Sequence, residues 1–254
     1  MSAAPTGETM LLVDLGNSRM KAALSAPGEW TELAPLATAA PDFSIWQAAL
    51  GARLPDRVLA STVAGATAGQ AFTEFAARQW KRKVEFAQVR PSHAGMTTRY
   101  RDPSQLGIDR WLAALAAWSE AQGPVCVIDA GTALTVDIVD ADASHRGGLI
   151  APGPELMRQS LTRGTARLAS TRLAPVLDFA DNTEDAISLG CTEATRGLIA
   201  RVAERLASRA PGQDYRWYLT GGAAPLVRAL CERPWHDAPA LVLRGLARYA
   251  EGGA

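Results

Sequence analysis

Two short stretches of the sequence each combine an aspartate with a glycine turn. Asp14 ends an apolar run and Gly16 follows two residues later; Asp129 and Gly131 repeat that spacing. A glycine lets backbone N–H groups approach a bound anion, and a carboxylate beside phosphate oxygens suits Mg²⁺. Each stretch can therefore hold a phosphate and its metal ion. Two such turns predict two halves that face one site.

The side chains around these turns fit phosphate binding. Asn17 and Ser18 add an amide and a hydroxyl to the first turn, and Lys21 adds positive charge. Thr132 supplies a hydroxyl in the second turn. The first stretch alone is also compatible with an ordinary hairpin in which Asp14 caps its own turn. The second copy of the pattern favours the phosphate site.

Two other nucleotide-binding signatures are absent from the sequence. There is no Gly-x-x-x-x-Gly-Lys-Ser/Thr run and no Gly-x-Gly-x-x-Gly run, which disfavours a P-loop or a Rossmann domain. Gly221 and Gly222 follow a predicted strand and would let a base or ribose pass closely. Such a pair more often only begins a helix.

Asp109 and Arg110 are the pair best suited to the reaction itself. They lie at the start of a predicted helix, where Gly107 removes a side chain beside Asp109. In phosphoryl transfer a carboxylate commonly orients or deprotonates the attacking hydroxyl, while cations neutralise the phosphates. Asp109 fits the first role, and Arg110 can bind an anionic substrate group. The alternative is a plain helix start, with an aspartate that complements the helix dipole and an arginine that faces water.

Hydrophobic periodicity places these residues in two similar halves. The first half has predicted strands from Met10, at 19–25, 29–36, 57–63 and 84–89, with helices at 42–50 and 66–80. Residues 90–103 lack periodicity and predict a surface loop, and Ser104 is predicted to cap the next helix. From residue 123 the pattern restarts, with strands to Asp129, at 134–139, to about Ile150 and from Trp217, and helices from Glu155, from Asn182 and at 240–249. We interpret the restart as an internal duplication in a layered α/β protein with two domains, 1–118 and 119–254.

Composition restricts the class of protein. Lys plus Arg equals Asp plus Glu at 26 each, so no general charge attracts nucleic acid or an anionic membrane. Cys126, Cys191 and Cys231 form no zinc-like pattern with the three histidines, and we expect reduced, partly buried thiols. The N-terminus has no signal-peptide pattern, and no apolar run approaches a membrane span. We expect a cytoplasmic protein.

Taken together, the motifs resemble those of the type III pantothenate kinases, in the superfamily of acetate kinase, sugar kinases, heat-shock chaperones and actin. The resemblance runs from about Met10 to Ala250. Four ordered stretches carry it: residues 14–21, 106–111 and 129–135, and the glycine and proline run that ends at Gly153. Ser18 stands where many relatives carry threonine, which keeps the hydroxyl.

The resemblance implies an actin-like or ribonuclease H-like fold in both domains, each with a mixed five-stranded sheet flanked by helices, and a nucleotide cleft between them. It implies transfer of the ATP γ-phosphate to the primary hydroxyl of pantothenate, the first step toward coenzyme A. Mg²⁺ and a monovalent cation, K⁺ or NH₄⁺, would be required, and the protein would be a homodimer that binds no nucleic acid and no membrane.

The resemblance also implies residue roles. Asp109 would accept the proton, Asp129 would hold the monovalent cation, and Asp14 would hold Mg²⁺. ATP would contact Asp14, Leu15, Gly16, Asn17, Ser18, Arg19, Met20, Lys21 and Thr132. Pantothenate would contact Tyr100, Gly107, Ile108, Asp109 and Arg110, together with Thr183 from the partner subunit.

Several alternatives stay open at this point. Without the resemblance, Tyr100 would be a surface aromatic and Thr183 a helix cap. Some relatives are described as accessory factors in transcriptional regulation, a role that would be non-enzymatic. Another kinase or phosphatase of the superfamily, with a different small substrate, would share the nucleotide turns. Trp111, Trp118 and Cys126 are interpreted as core residues.

Overall fold

A computed structural model describes residues 7–162, 173 and 178–252 of the 254-residue chain. The chain forms two compact units. The first comprises the described residues up to Gln122, then Val139–Gly147 and the segment from Ala240 onward; the second comprises Gly123–Ile138 and Gly148–Pro239. The domain boundary at residues 118 and 119 stays a prediction.

The first unit is built on a mixed five-stranded sheet. Its strands are β1 (Met10–Leu15), β2 (Arg19–Ala26), β3 (Glu29–Ala37), β4 (Arg57–Thr62) and β5 (Val84–Phe86), in the order β3-β2-β1-β4-β5. Strand β1 pairs antiparallel with β2 and parallel with β4. Every residue of β1 is buried, which explains why its sequence is an apolar run rather than an alternating one.

Helices cover the sheet of the first unit. They are α1 (Ser44–Leu50), α2 (Ala66–Gln79), α3 (Ile108–Ala121) and α7 (Leu241–Glu251). An aromatic cluster of Phe43, Trp46, Phe72, Phe75 and Trp80 fills the core under α1 and α2, with ring centroids 5.2–6.1 Å apart. Helix α3 packs closely on α7, where a side chain at Gly245 would collide with the Leu112 backbone.

Five strands of the second sheet repeat the strand order of the first. They are β8 (Val125–Ala130), β9 (Ala133–Val139), β10 (Ser144–Pro152), β11 (Arg216–Thr220) and β12 (Trp235–Asp237), in the order β10-β9-β8-β11-β12, and residues 139 and 144–147 of these strands belong to the first unit. Helices α4 (Pro154–Thr162), α5 (Thr183–Arg209) and α6 (Ala224–Leu230) accompany them. In both sheets the order is third, second, first, fourth, fifth along the chain, as the predicted duplication requires. The mixed α/β architecture with two mixed sheets is confirmed.

The segment at residues 90–103 is not entirely a loop. Strands β6 (Ser92–His93) and β7 (Met96–Thr98) form an antiparallel hairpin, and β7 pairs parallel with the start of β10. The second sheet therefore has seven strands instead of five. Strands of two and three residues are too short to show a period, so hydrophobic patterning does not detect them.

The predicted cap of helix α3 is also wrong. Ser104 lies in a short 3₁₀ helix, Pro103–Gln105, and donates its backbone N–H to Asp102 Oδ1 at 2.9 Å. The N-cap of α3 is Gly107, which has no side chain to cap with. Because the 3₁₀ helix ends at Gln105 and Leu106 is extended, Ser104 is too early to reach the α3 N–H groups.

The three cysteines are free thiols, and all three are buried rather than partly buried as we expected. No helix within the described part of the chain has the length and apolar composition needed to cross a membrane.

Candidate functional site

The first aspartate turn lies at the carboxyl end of β1, in the first unit. Asp14 is only 8% exposed, and the Ser61 hydroxyl donates to its Oδ1 at 2.9 Å. Ser61 lies directly opposite Asp14 in the parallel register of β1 with β4. The neighbouring strand therefore fixes the carboxylate, which does not merely cap its own hairpin.

The Asp14 side chain projects to the face of the sheet that is away from α1 and α2. Residues directly opposite each other on neighbouring strands share a face, and Asp14 lies opposite both Lys21 and Ser61. The odd-numbered residues of β1 point into the core under α1 and α2. Helix α3 contacts β4, and α7 contacts β1. Asp14 thus lies on the side of the sheet where helix α3 packs.

Two hydrogen bonds from Thr38, the residue directly after β3, hold the glycine turn in shape. The Thr38 hydroxyl donates to the Gly16 carbonyl at 2.7 Å, and the Thr38 N–H donates to the Ser18 carbonyl at 3.2 Å. A Cβ at Gly16 would lie 2.7 Å from the Arg19 carbonyl oxygen, so the turn accepts only glycine there. The turn is thus hydrogen-bonded at two carbonyls and has little room beside Gly16.

The eight residues from Asp14 to Lys21 differ in what they can offer a ligand. Asn17, Ser18 and Arg19 are exposed and Lys21 is half-buried, so these polar side chains are accessible. Leu15 and Met20 are fully buried in the core, which leaves only their backbone for a ligand. The phosphate-binding potential of the turn therefore resides in its polar side chains and backbone N–H groups.

Asp109 lies in the first turn of α3, in the first unit. It is half-buried, and its Oδ1 accepts the Arg110 N–H at 2.8 Å. A Cβ at Gly107 would lie 2.7 Å from that oxygen. The space that Gly107 leaves open is thus occupied by the Asp109 carboxylate, which glycine allows to lie against the helix start.

Arg110 does not face water. Its side chain is buried, with the residue 7% exposed, and Nη1 donates to the Tyr100 hydroxyl at 2.9 Å. Tyr100 is half-buried, and its backbone N–H donates to Thr98 Oγ1 at 3.2 Å. Burying a guanidinium is unfavourable unless its donors find acceptors. The structure therefore brings together Tyr100, Gly107, Asp109 and Arg110, with Ile108 packed at the helix start.

The second aspartate turn lies in the second unit, between β8 and β9. Asp129 is half-buried and Thr132 is exposed. The Gly131 N–H donates to the Ala133 carbonyl at 2.9 Å, and the Gly153 N–H donates to the Thr132 carbonyl at 2.9 Å. A side chain at Gly153 would collide with this turn.

Gly221, directly after β11, packs against Asp129 and Ala130 at the start of the same turn. Its φ of +95° is a left-handed conformation that favours glycine, and a Cβ there would collide with Asp129 Oδ1 and the Ala130 backbone. By contrast, Gly222 has nothing within 4 Å of its Cβ position. The first glycine of this pair is thus required for packing around Asp129.

The oxygen ligands at the two turns suit a cation whose coordination is completed by oxygens from phosphate or water. Among the residues that the structure describes, no group of three or more His, Cys, Asp or Glu side chains could hold a metal ion. Asp14 and Asp129 each offer a single carboxylate, with hydroxyl or carbonyl oxygens nearby. Mg²⁺ is commonly bound by one or two carboxylates together with phosphates and water. That chemistry suits Asp14, and an oxygen-only site suits a monovalent cation at Asp129.

Thr183 is exposed at the first position of α5. The cap of this helix is Asn182, whose Oδ1 accepts the Asp185 N–H at 2.9 Å. The alternative interpretation of Thr183 as the cap is therefore wrong.

Sequence reasoning missed three residues of these clusters: Ser61, Thr38 and His145. The duplicated strand pattern could have indicated Ser61, because it ends the strand that runs parallel to β1. Thr38 carries no local signal, since its partner Gly16 lies 22 residues away. His145 belongs to a contact network with Tyr100 and Trp111.

Comparison with known proteins identifies one family, both by its profile and by individual relatives. The profile of the type III pantothenate kinase family matches residues 10–205. A type III pantothenate kinase of Halorhodospira halophila is 35% identical over 249 residues, covering 94% of this chain and 97% of that protein. One from Azoarcus sp. strain BH72 is 38% identical over 253 residues, covering 96% of this chain and 92% of that protein.

Solved structures share the fold at low sequence identity. A Campylobacter jejuni protein described as a Baf family transcriptional activator superposes with a TM-score of 0.57 at 21% identity, covering 95% of this chain and 97% of that one. The activator of 2-hydroxyisocaproyl-CoA dehydratase from Clostridium difficile, solved with bound ADPNP, has a TM-score of 0.52 at 9% identity, covering 96% and 94%. These similarities place the chain in the actin-like ATPase fold.

Proposed function

The chain belongs to the type III pantothenate kinase family and is thus an ATP-dependent pantothenate kinase of coenzyme A biosynthesis. We propose which of its residues bind each substrate and which one accepts the proton. Tyr100, Gly107, Ile108, Asp109 and Arg110 form the acceptor site, and the two aspartate turns bind ATP. The observation that carries this assignment is the Asp109 carboxylate, which accepts the Arg110 N–H at the start of α3, while the buried Arg110 guanidinium donates to Tyr100.

Asp109 is the proton acceptor. The primary hydroxyl of pantothenate attacks the γ-phosphorus of ATP, and the bond from that phosphorus to the bridging oxygen breaks, which releases ADP. The hydroxyl proton passes to the Asp109 carboxylate as the new O–P bond forms. Pantothenate carries a carboxylate, and the Arg110 guanidinium is the matching cation. The hydrogen bond to Tyr100 orients that guanidinium.

The turn from Asp14 to Lys21 binds ATP phosphates, with Leu15 and Met20 taking part through their backbone. Asn17 and Ser18 donate to phosphate oxygens, and Lys21 supplies positive charge. Asp14 is the residue that would hold Mg²⁺, which when bound neutralises phosphate charge. In the second turn, Thr132 contacts ATP and Asp129 would hold K⁺ or NH₄⁺. Single carboxylates among hydroxyl and carbonyl oxygens support both assignments.

Thr183 completes the acceptor site of a partner subunit in a homodimer. Its exposure on α5, with the capping role taken by Asn182, leaves its hydroxyl accessible and supports this role. Mixing two variants tests the sharing: Thr183→Ala, which should bind pantothenate weakly, and Asp109→Asn, which should lose most turnover. A mixed dimer then holds one site with both native residues, so activity should reappear on mixing. Absence of recovery in a proven mixed dimer contradicts a shared site.

The deciding experiment measures ADP release by purified protein with ATP, Mg²⁺ and K⁺, with and without pantothenate. ADP should form only when pantothenate is present, and the product should carry the phosphate on its primary hydroxyl. Replacing K⁺ by Na⁺ should lower the rate. The assignment fails if pantothenate does not stimulate ADP release under any cation condition.

A further inference from the structure

His145 is a buried histidine to which the reaction above gives no role. It lies on β10 with no exposed surface. Histidine is usually only partly buried in proteins, because its ring nitrogens are polar. The surroundings of this ring therefore indicate what it does.

The His145 ring lies against two aromatic side chains of the acceptor site region. Its centroid is 6.1 Å from the Tyr100 ring, at an interplanar angle of 33°. It is also 6.1 Å from the Trp111 ring, which it meets nearly edge to face at 77°. Ring pairs at this separation attract each other and prefer defined orientations. Trp111 directly follows Arg110 on α3, so His145 contacts both elements that carry the Tyr100–Arg110 hydrogen bond.

The backbone of β10 supports the same segment. His145 is paired with Thr98 of β7, and its carbonyl accepts the Arg99 N–H at 3.0 Å. Gly147, two residues later, has a φ of +94°, and its Cβ position lies 3.6 Å from Tyr100 Cε2. The Tyr100 ring thus lies along β10, with the imidazole on one part of it and bare backbone on another.

We propose that His145 is a positioning residue for pantothenate binding. Its ring holds Tyr100 and Trp111 apart at a fixed spacing, so that the Tyr100 hydroxyl and the Arg110 guanidinium keep the geometry that receives the pantothenate carboxylate. The inference rests on the proposed function, which assigns Tyr100 and Arg110 to pantothenate. His145 touches neither substrate and takes no part in proton transfer.

The test compares His145→Ala with His93→Ala. His93 is a matched control because it is also buried in the first unit, with its ring 4.1 Å from Tyr249 and Nε2 2.9 Å from the Tyr249 carbonyl. His145→Ala should raise the KM for pantothenate about tenfold, since small misplacements of positioning groups are costly, and leave the KM for ATP within about twofold. His93→Ala should lower Tm without raising the KM for pantothenate.

A double-mutant cycle with Tyr100→Ala separates positioning from general damage. If His145 acts through the Tyr100 ring, His145→Ala should add little once that ring is gone. His145→Phe, which keeps a flat ring, should stay within about threefold of the native KM, and it also provides the comparison if His145→Ala does not fold. Equal effects of His145→Ala in both backgrounds overturn the inference. By contrast, a native KM in Tyr100→Ala overturns the role of Tyr100 in the proposed function.

Discussion

The guanidinium of Arg110 donates to the phenolic oxygen of Tyr100 at 2.9 Å, and both groups are withdrawn from full solvent contact. The pair joins a residue before the 3₁₀ helix to the first turn of α3. It therefore fixes a buried cation on the residue next to Asp109, so that an anion paired with it would not have to order a mobile arginine.

Tyr100→Phe should raise the KM for pantothenate by about 10–150-fold, because a hydrogen bond to a charged group contributes about 1.5–3 kcal/mol. The KM for ATP should not change. Tyr249→Phe is the control, since the Tyr249 hydroxyl accepts the Gln88 N–H at 3.3 Å in the same unit. Steady-state kinetics with each substrate varied in turn provide the measurement. An unchanged KM for pantothenate in Tyr100→Phe would show that the phenol does not orient Arg110.

Asp109→Asn should lower kcat by about 10²–10⁴-fold, the usual contribution of a positioned general base. The amide keeps an oxygen that can accept the Arg110 N–H, so the helix start should fold normally. Glu120→Gln, at the far end of α3 where Glu120 pairs with Arg244, is the control for loss of a carboxylate on this helix. Equal kcat values for the two variants would contradict proton transfer to Asp109.

Gly221→Ala should lower the free energy of unfolding by about 1–3 kcal/mol, because it places a Cβ on a left-handed residue and against Asp129. Gly222→Ala should change it by less than about 0.5 kcal/mol, since the Cβ position there is open. Urea denaturation of the two variants gives the comparison. Similar losses in both would mean that the clash at Gly221 is relieved by backbone movement.

Burial raises the pKa of the Cys126 thiol well above its usual range, and it raises the pKa values of Cys191 and Cys231 as well. Because the thiolate is the reactive form, all three should be alkylated slowly in the native protein, with Cys126 the slowest. In urea the three should react at similar rates. Peptide mapping after timed alkylation measures the rate at each cysteine. Rapid alkylation of Cys126 in the folded protein would contradict the prediction.

The same shift predicts a pH dependence of stability. Above pH about 8.5 the unfolded chain loses the Cys126 proton while the folded protein keeps it. Stability from this group is therefore fully present below that pH and is lost as pH rises toward the raised folded pKa. Cys126→Ala should show a smaller loss of stability between pH about 8 and 10 than the native protein. If the free energy of unfolding falls equally with pH in the two proteins, the raised pKa of Cys126 is contradicted.

The parts of the structure that sequence could predict are those with local signals. The β1 to β2 turn follows from an apolar run, an aspartate and a glycine, and the strand order of the second sheet follows from the same pattern repeated. Hairpin β6–β7 could not be predicted, because it depends on pairing with Ser144, 47 residues from Thr97. The burial of Arg110 could not be predicted either. Its position in the sequence suits a solvent-facing arginine, and only the fold brings Tyr100 to it.

The two aspartate turns differ in the contacts that their neighbours make, and this affects how each can change. Ser61 and Thr38 secure the first turn through hydroxyl hydrogen bonds, which substitutions can weaken in small steps. Gly153 and Gly221 secure the second by having no side chain, so any replacement inserts atoms into occupied space. In a library of random variants, activity should decline gradually with changes at Ser61 and Thr38 and be lost abruptly with changes at Gly153 and Gly221, as also at Gly16 in the first turn. If both turns bind ATP as proposed, the hydroxyl contacts of the first turn are thus the part that substitutions can adjust in small steps.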